Sequence, residues 1–325
     1  MEELMKDTID KVERIGLNVV VVMSDLGSNF QSLAKHLKVI PERPWFMHNQ
    51  KKYYLMFDPP HLIKCIRNNL MKYTFKFGQY TAKWQDIVVF YNKDKELPIR
   101  AAPKLTDKHI RPNNFAKMKV KYATQILSHT VTASICMYVS VGGLPSSAMG
   151  TAECISKFDS LFDSVNVSTI HSQKSLKCAL TQTSPHLSFF EQAISFIKSI
   201  KIFQGDEEVT GRIKCLNGCS FLNSSRGNCN DDFDNLLAQF SKADSSVPVL
   251  VAASTSQQSD DIDTTDYKEK EVSDNLLKNN PIAYVAGYLL RKSFPKHKCS
   301  TCESALVTDQ LEDNRNLLCF FKAYE

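Results

Sequence analysis

A chain of 325 residues, 43% of them hydrophobic, can bury a sizeable core, and at roughly 150 residues per domain its length suggests about two domains. Its formal charge of +5 admits a polyanionic partner but excludes a chain that is basic throughout. Ten cysteines at irregular spacing, with no signal-peptide pattern ahead of them, read as reduced thiols of an intracellular protein and exclude a disulfide-stapled framework. No apolar stretch approaches the roughly 20 residues that a membrane span needs, so no membrane partner is expected.

Leu4, Ile9, Val12 and Ile15 recur at helical spacing, and Gly16 ends that helix. The β-branched run at 17–22 reads as a strand buried on both faces, followed by a polar turn at 23–29. Asp25 thus stands just past a strand's C-terminal end, where open α/β sheets gather their chemistry, and is a metal-ligand candidate. Its plainer role, shared with Ser28 and Asn29, is to cap the next helix. A second run at 53–57 ends in Asp58-Pro59-Pro60. The prolines suit the first turn of a helix carrying Leu62, Ile63, Ile66 and Leu70, which makes Asp58 its N-cap; His61 is a candidate ligand or base whose plainer role is that of a structural first-turn residue. Lys64 and Arg67 share one face of that helix at i, i+3, where they can hold DNA phosphates or simply face water.

From 115 to 138 the apolar positions keep a helical period, which predicts the longest helix of the chain, with Lys117 and Lys121 on another face. Gly142-Gly143-Leu144-Pro145 ends it, and further helices are predicted near 151–162 and 189–200. Residues 254–274 are rich in Ser, Thr, Asp and Glu and too polar to fold. Apolar order resumes at 282–290. Cys299-x-x-Cys302, with His297 nearby, is half of a tetrahedral zinc site. No Gly-x-x-x-x-Gly-Lys-Ser/Thr loop occurs, which excludes a P-loop enzyme, and Asn92-Lys93-Asp94 only grazes a guanine-reading pattern.

The strings MSDLGSNFQSL and FDPPHLIKCIRNNL, followed in order by LTDKHIRPNNFAKMKVKYATQILSHTVTASI and NPIAYVAGYLLRK, resemble the P-element class of DNA transposases, including the THAP-domain transposase relatives of animal genomes. The resemblance implies an α/β fold: a partial RNase H-like core interrupted by a mostly α-helical GTP-binding insertion domain, with a disordered acidic linker. It divides the chain into core at 1–77, insertion at 78–205, a remnant of the core at 206–253, linker at 254–280 and a tail at 281–325 that holds the Cys-x-x-Cys pair.

In that frame Asp25 is the second carboxylate of a DDE triad and a ligand of Mg²⁺, for in-line displacement at phosphorus clamped by two metals. GTP is the second implied cofactor. The family reaches it through lysines and acidic side chains, which singles out Lys117, Lys119, Asp163 and Asn166, although lysines on amphipathic helices commonly just face water. Transposon-end DNA is the implied partner, met at Lys64 and Arg67, with a second copy of the chain as another candidate and the nucleus as the site of action. The resemblance further implies that the strands bearing the first aspartate are missing, that the Asp-x-x-Glu segment is lost between 213–218 and 221–229, and that the end is cut inside an element near 317–321. The expected function is accordingly a degenerate transposase, its ancestral cleavage and strand transfer lost. The alternatives are a domesticated GTP- or protein-binding module without catalysis, or a gene-model artefact.

Overall fold

The structure, a computed structural model, describes residues 1–167, 176–178, 185–212 and 271–293, and also Leu216, Gly218, Cys219, Leu318 and Lys322. In chain order the elements begin with α1 (Glu2–Arg14), β1 (Val21–Ser24), α2 (Ser28–His36), β2 (Trp45–His48), β3 (Lys51–Phe57), α3 (Pro59–Leu70), β4 (Thr74–Phe77) and β5 (Tyr80–Ala82). Helices follow: α4 (Trp84–Asp94), α5 (Asp107–Ile110), α6 (Asn114–Met118), α7 (Val120–Ile126), α8 (His129–Ser140), α9 (Met149–Val165) and α10 (His186–Ser199). The short strands β6 (Lys201–Gln204) and β7 (Glu207–Glu208) and the helix α11 (Glu271–Ser293) complete the order. Met1–Asn69 and Leu161–Ile202 build a first compact unit; Leu70–Ser160, with Phe203–Asp206 and α11, builds a second. No helix of the described residues is long and apolar enough to cross a membrane.

β3 is the centre of the first unit's sheet. β1 pairs with it in parallel, from Val21 opposite Tyr54 to Ser24 opposite Phe57, and β2 pairs antiparallel on its other side. All of 53–57 is buried, as that apolar run requires. β1 departs from the expectation of a strand buried on both faces: it lies at the edge of this sheet, with Val21 36% and Met23 53% exposed. β2 has too short a run to show in the sequence, and a tight turn creates it instead. Asn49 and Gln50 both adopt positive φ, 48° and 61°, the geometry that lets a two-residue hairpin follow the twist of its strands. Ile9 of α1, Ala34 of α2 and Val39 then close over Phe46, Tyr53 and Leu55 to form this unit's core.

In the second unit β4 and β5 form an antiparallel hairpin turned at Gly78, whose φ is +51°. α9 docks on this hairpin through its first turn. Gly150 packs so closely on β5 that a Cβ there would stand 2.4 Å from the carbonyl oxygen of Thr81, and the next side chain, the Thr151 hydroxyl, accepts the Lys83 N–H at 3.0 Å and bonds Asp86.

The single helix expected over 115–138 is three. The backbone is extended at Lys119 (φ −78°, ψ 120°) and leaves the helix again at Leu127 (ψ 69°). The apolar period of the sequence runs through both breaks and so does not reveal them; around the second, Ile126, Leu127, Val131, Ile135 and Tyr138 are all buried, whereas before the first Phe115 and Met118 are exposed. A capping residue marks the second: the Ser128 side chain accepts the Val131 N–H at 3.4 Å and starts α8, while the Asn113 side chain accepts that of Ala116 at 2.8 Å and starts α6; α7 begins after Lys119 with no side-chain cap. Replacing Asn113 by Ala should lower stability by about 1 kcal/mol in urea melts, the usual cost of a lost cap.

The longest helix among the described residues is α11, with 23 residues and Pro281 inside it. It begins at Glu271, so the stretch at 271–280 that was expected as linker is helical. Its Leu277 is buried, and so is Asn280, whose side chain donates to the Leu276 carbonyl and accepts the Leu318 N–H, both at 2.9 Å. Residues 254–270, the apparent join at 213–229 apart from Leu216, Gly218 and Cys219, and the pair Cys299 and Cys302 lie outside the described residues. Cys136 and Cys154 are unbridged buried thiols. Burial pushes the Cys136 thiol up to about 11 and that of Cys154 higher still, which makes both inert core residues.

Candidate functional site

The parallel pairing of β1 with β3 brings two strand ends together, since the Asp58 N–H donates to the Ser24 carbonyl at 2.8 Å. Asp25 and Asp58 are thus the first residues past adjacent strand ends. Asp58 is occupied as expected: its carboxylate accepts the His61 N–H at 3.0 Å and caps α3. Asp25 does not cap α2, which starts from Gly27 without a side-chain bond. Its Oδ1 instead accepts the Gly27 N–H at 2.9 Å, holding the turn that leads into the helix. The carboxylate is exposed. Among the described residues no three His, Cys, Asp or Glu side chains stand together as a metal-binding group, so these residues do not fit a two-metal centre.

Lys64 and Arg67 do not make a paired basic face. Lys64 is half-buried, while Arg67 is fully buried, its Nε donating to Asn68 Oδ1 at 2.8 Å, and burial pushes the guanidinium pKa down. Their i, i+3 spacing crosses from the surface of α3 into its packed side, where Leu62, Ile63 and Ile66 also lie. Arg67 is therefore out of reach of a DNA phosphate.

Asp94, the end of the Asn92-Lys93-Asp94 string, is a buried clamp. One carboxylate oxygen accepts the Ala101 N–H at 2.7 Å and the Tyr138 hydroxyl at 3.3 Å; the other takes the Ala102 N–H at 3.2 Å and Arg100 Nε at 3.3 Å. Burial nonetheless outweighs these donors and raises its carboxyl pKa above the ordinary carboxylate value. No guanine can reach it there.

The second unit also holds an open cleft of about 390 Å³, lined among others by Asp107, Lys108 and Arg111 from α5 and its end, Phe115 of α6, Lys119, and Tyr122 of α7. A buried histidine braces Tyr122 of that lining. His109 Nδ1 accepts the Thr106 N–H at 3.1 Å, which leaves Nε2 as the nitrogen that donates to Gln125 Oε1 at 2.8 Å and so ties α5 to α7. The Tyr122 ring packs edge-on against this imidazole at 4.7 Å, and the Lys119 ammonium lies 5.7 Å from the Tyr122 centroid. Three cations and one acid thus border an aromatic face, an arrangement suited to a phosphorylated planar ligand.

Of the GTP candidates, Lys119 lines this cleft and Lys117 is half-buried on α6 just outside its lining. Asp163 and Asn166 belong to the first unit; Asp163 is buried and paired with Lys177 at 3.4 Å, and Asn166 is exposed. Lys108, Arg111 and Tyr122 were not singled out from the sequence. A charge count by segment finds two of them: residues 104–121 carry six Lys or Arg against one Asp, a net charge equal to the +5 of the whole chain.

Comparison with known proteins places this cleft inside a recognised segment. Residues 60–179 match the family described as the TNP-like, GTP-binding insertion domain. The chain is 31% identical over 183 residues to the "Transposable element P transposase" of Drosophila melanogaster and 27% identical over 180 residues to the "DNA transposase THAP9" of Homo sapiens. These alignments take in 54% and 50% of this chain but only 24% and 19% of the relatives, so the match spans a quarter or less of their length. The fold is similar to that in the solved "Drosophila P element transposase strand transfer complex", with a TM-score of 0.64 over 98% of this chain and 63% of that one, at 19% identity.

Proposed function

Because the chain belongs to the P-element-type transposase family, we propose that it is the nucleotide-binding part of such a protein, holding GTP in its helical insertion and engaging transposon-end DNA. The observation that carries this reading is the cleft between α5, α6 and α7, which falls within the matched 60–179 segment. Lys108, Arg111 and Lys119 suit a triphosphate, since charge-assisted bonds to phosphate oxygens are about twice as strong as neutral ones. The Tyr122 face, braced by His109, suits the purine.

The first unit reads as part of an RNase H-like core, with Asp25 as the descendant of one metal-ligating carboxylate. We derive no cleavage step from it, because the described donors form no metal-binding group. The second reading is a domesticated DNA- and nucleotide-binding module acting in the nucleus, favoured by the cleft's place within the matched insertion segment.

Isothermal titration of the whole chain with GTP and ATP tests the nucleotide site. GTP binding is expected, and Lys119→Ala should weaken it about 10-fold or more, the worth of one hydrogen bond to a charged group. The reading fails if GTP gives no heat, or if the variant binds it as tightly as the parent.

A further inference from the structure

Among the described residues of the second unit, the two most exposed large apolar side chains stand together on α6. Phe115 is 79% and Met118 72% exposed, three residues apart on a helix of five, while Ala116 between them is buried. Water-exposed Phe and Met side chains so close together cost the folded protein solubility and add nothing to its core. Their surroundings say what kind of partner would cover them. Lys104, Lys108, Arg111, Lys119 and Lys121 are all exposed, and Asp107 is the one acid between residues 104 and 121. An apolar protein surface would leave those cations desolvated without counter-charges, and an acidic peptide offers nothing flat to an aromatic ring. A nucleic acid offers both phosphates and rings.

The shape decides between duplex and single strand. Side chains that pry open a duplex are wedges that project into a base step. Phe115 instead forms one side of the open cleft that Lys108, Arg111 and Lys119 also line. A concave aromatic wall bordered by cations fits a base that has already left its stack, with its flanking phosphates on the lysines and the arginine. We propose that, when no nucleotide fills the cleft, Phe115 and Met118 form a stacking platform for an unpaired base of single-stranded DNA, with Lys108, Arg111 and Lys121 neutralising its backbone. The choice of DNA over RNA rests on the reading under "Proposed function"; the platform itself rests on exposure, charge and shape.

Fluorescence anisotropy of the full chain with a labelled oligo-dT strand, and with a blunt duplex of the same length, tests the platform. The single strand should bind more tightly than the duplex. The double variant Phe115→Ser, Met118→Ser should bind the strand about 10-fold more weakly, in keeping with the worth of one base stacked on an aromatic ring, with the salt dependence unchanged. Lys108→Gln with Arg111→Gln should instead flatten the slope of log affinity against log salt by about 1.4, at roughly 0.7 per phosphate contact on a single strand. Both variants should melt at the parent's temperature, because the replaced side chains are exposed. Duplex bound as tightly as single strand, no binding to either, or full affinity in the serine variant would each overturn the proposal. A GTP titration run on the same parent sample reports separately on the nucleotide site, so the failure of one reading is distinguishable from the failure of the other.

Discussion

Asp94→Ala should be the most damaging single substitution in the second unit, lowering stability by roughly 3–5 kcal/mol, the range for removing one partner of a buried charge pair. Two backbone donors, those of Ala101 and Ala102, lose their acceptor together with the Tyr138 hydroxyl. Arg100, with 20% of its side chain exposed, loses its counter-charge. No other carboxylate accepts these donors: Glu96, the one other acid between α4 and α5, makes none of these bonds. Asp94→Asn should cost less, because one oxygen acceptor remains, but its NH₂ then meets donors on one side. Urea unfolding followed by circular dichroism gives both values, and an alanine variant within 1 kcal/mol of the parent would show that the clamp is not needed.

The same carboxyl has a pH signature. Its folded-state pKa is raised above the ordinary 3.8, so the folded protein holds the proton more tightly than the unfolded chain does. The resulting stabilisation is fully present below that ordinary value and is lost as pH rises through the folded value. Asp94→Asn should remove this component, and its stability should fall less than the parent's as pH rises from 3.8 towards neutrality.

Gly150→Ala should be nearly as harmful, at about 3 kcal/mol, the upper part of the usual range for overpacking. The new Cβ would meet the Thr81 carbonyl oxygen at 2.4 Å and its nitrogen at 2.8 Å, both atoms of β5 backbone that cannot rotate aside as a side chain would. α9 must then withdraw from the hairpin, and the bond between Thr151 and the Lys83 N–H is stretched with it. Gly287→Ala supplies the control. It too is a helical glycine, but nothing lies within 4 Å of its added Cβ, so the change should be neutral or stabilising by up to about 1 kcal/mol. Equal melting temperatures for the two variants would rule out the close approach as the reason for a glycine at 150.

Much of the first unit could be read from the chain itself, because its signals are local. The apolar run at 53–57, the Asp58 cap and the prolines behind it announce β3 and α3, and both form as expected. β2 and the β4–β5 hairpin escaped because they are four residues long or shorter and depend on turns at Asn49-Gln50 and Gly78. The three-helix path over 114–140 escaped for a different reason: the apolar period continues across both breaks, and of the two only the one at Leu127 is followed by a side-chain cap, that of Ser128. In the cleft, Lys119 was named in advance, but Lys108, Arg111 and Tyr122 come from helices that His109 ties together, a contact between residues 106, 109 and 125 that no spacing rule encodes. Arg67 failed as a surface cation because a helical face seen in one dimension does not say which of its edges is covered.

Lys119 belongs neither to α6 nor to α7: its backbone is the joint between them, extended where both neighbours are helical. An amine mounted within a helix is aimed by the whole rod that carries it, whereas this one is aimed by a single ψ angle. A change of that torsion toward the helical value would rotate α7, with Tyr122, against α6, with Phe115, so the width of the cleft and the bearing of its lysine are the same mechanical variable. An anion bound to that lysine would therefore also fix the angle between the two helices.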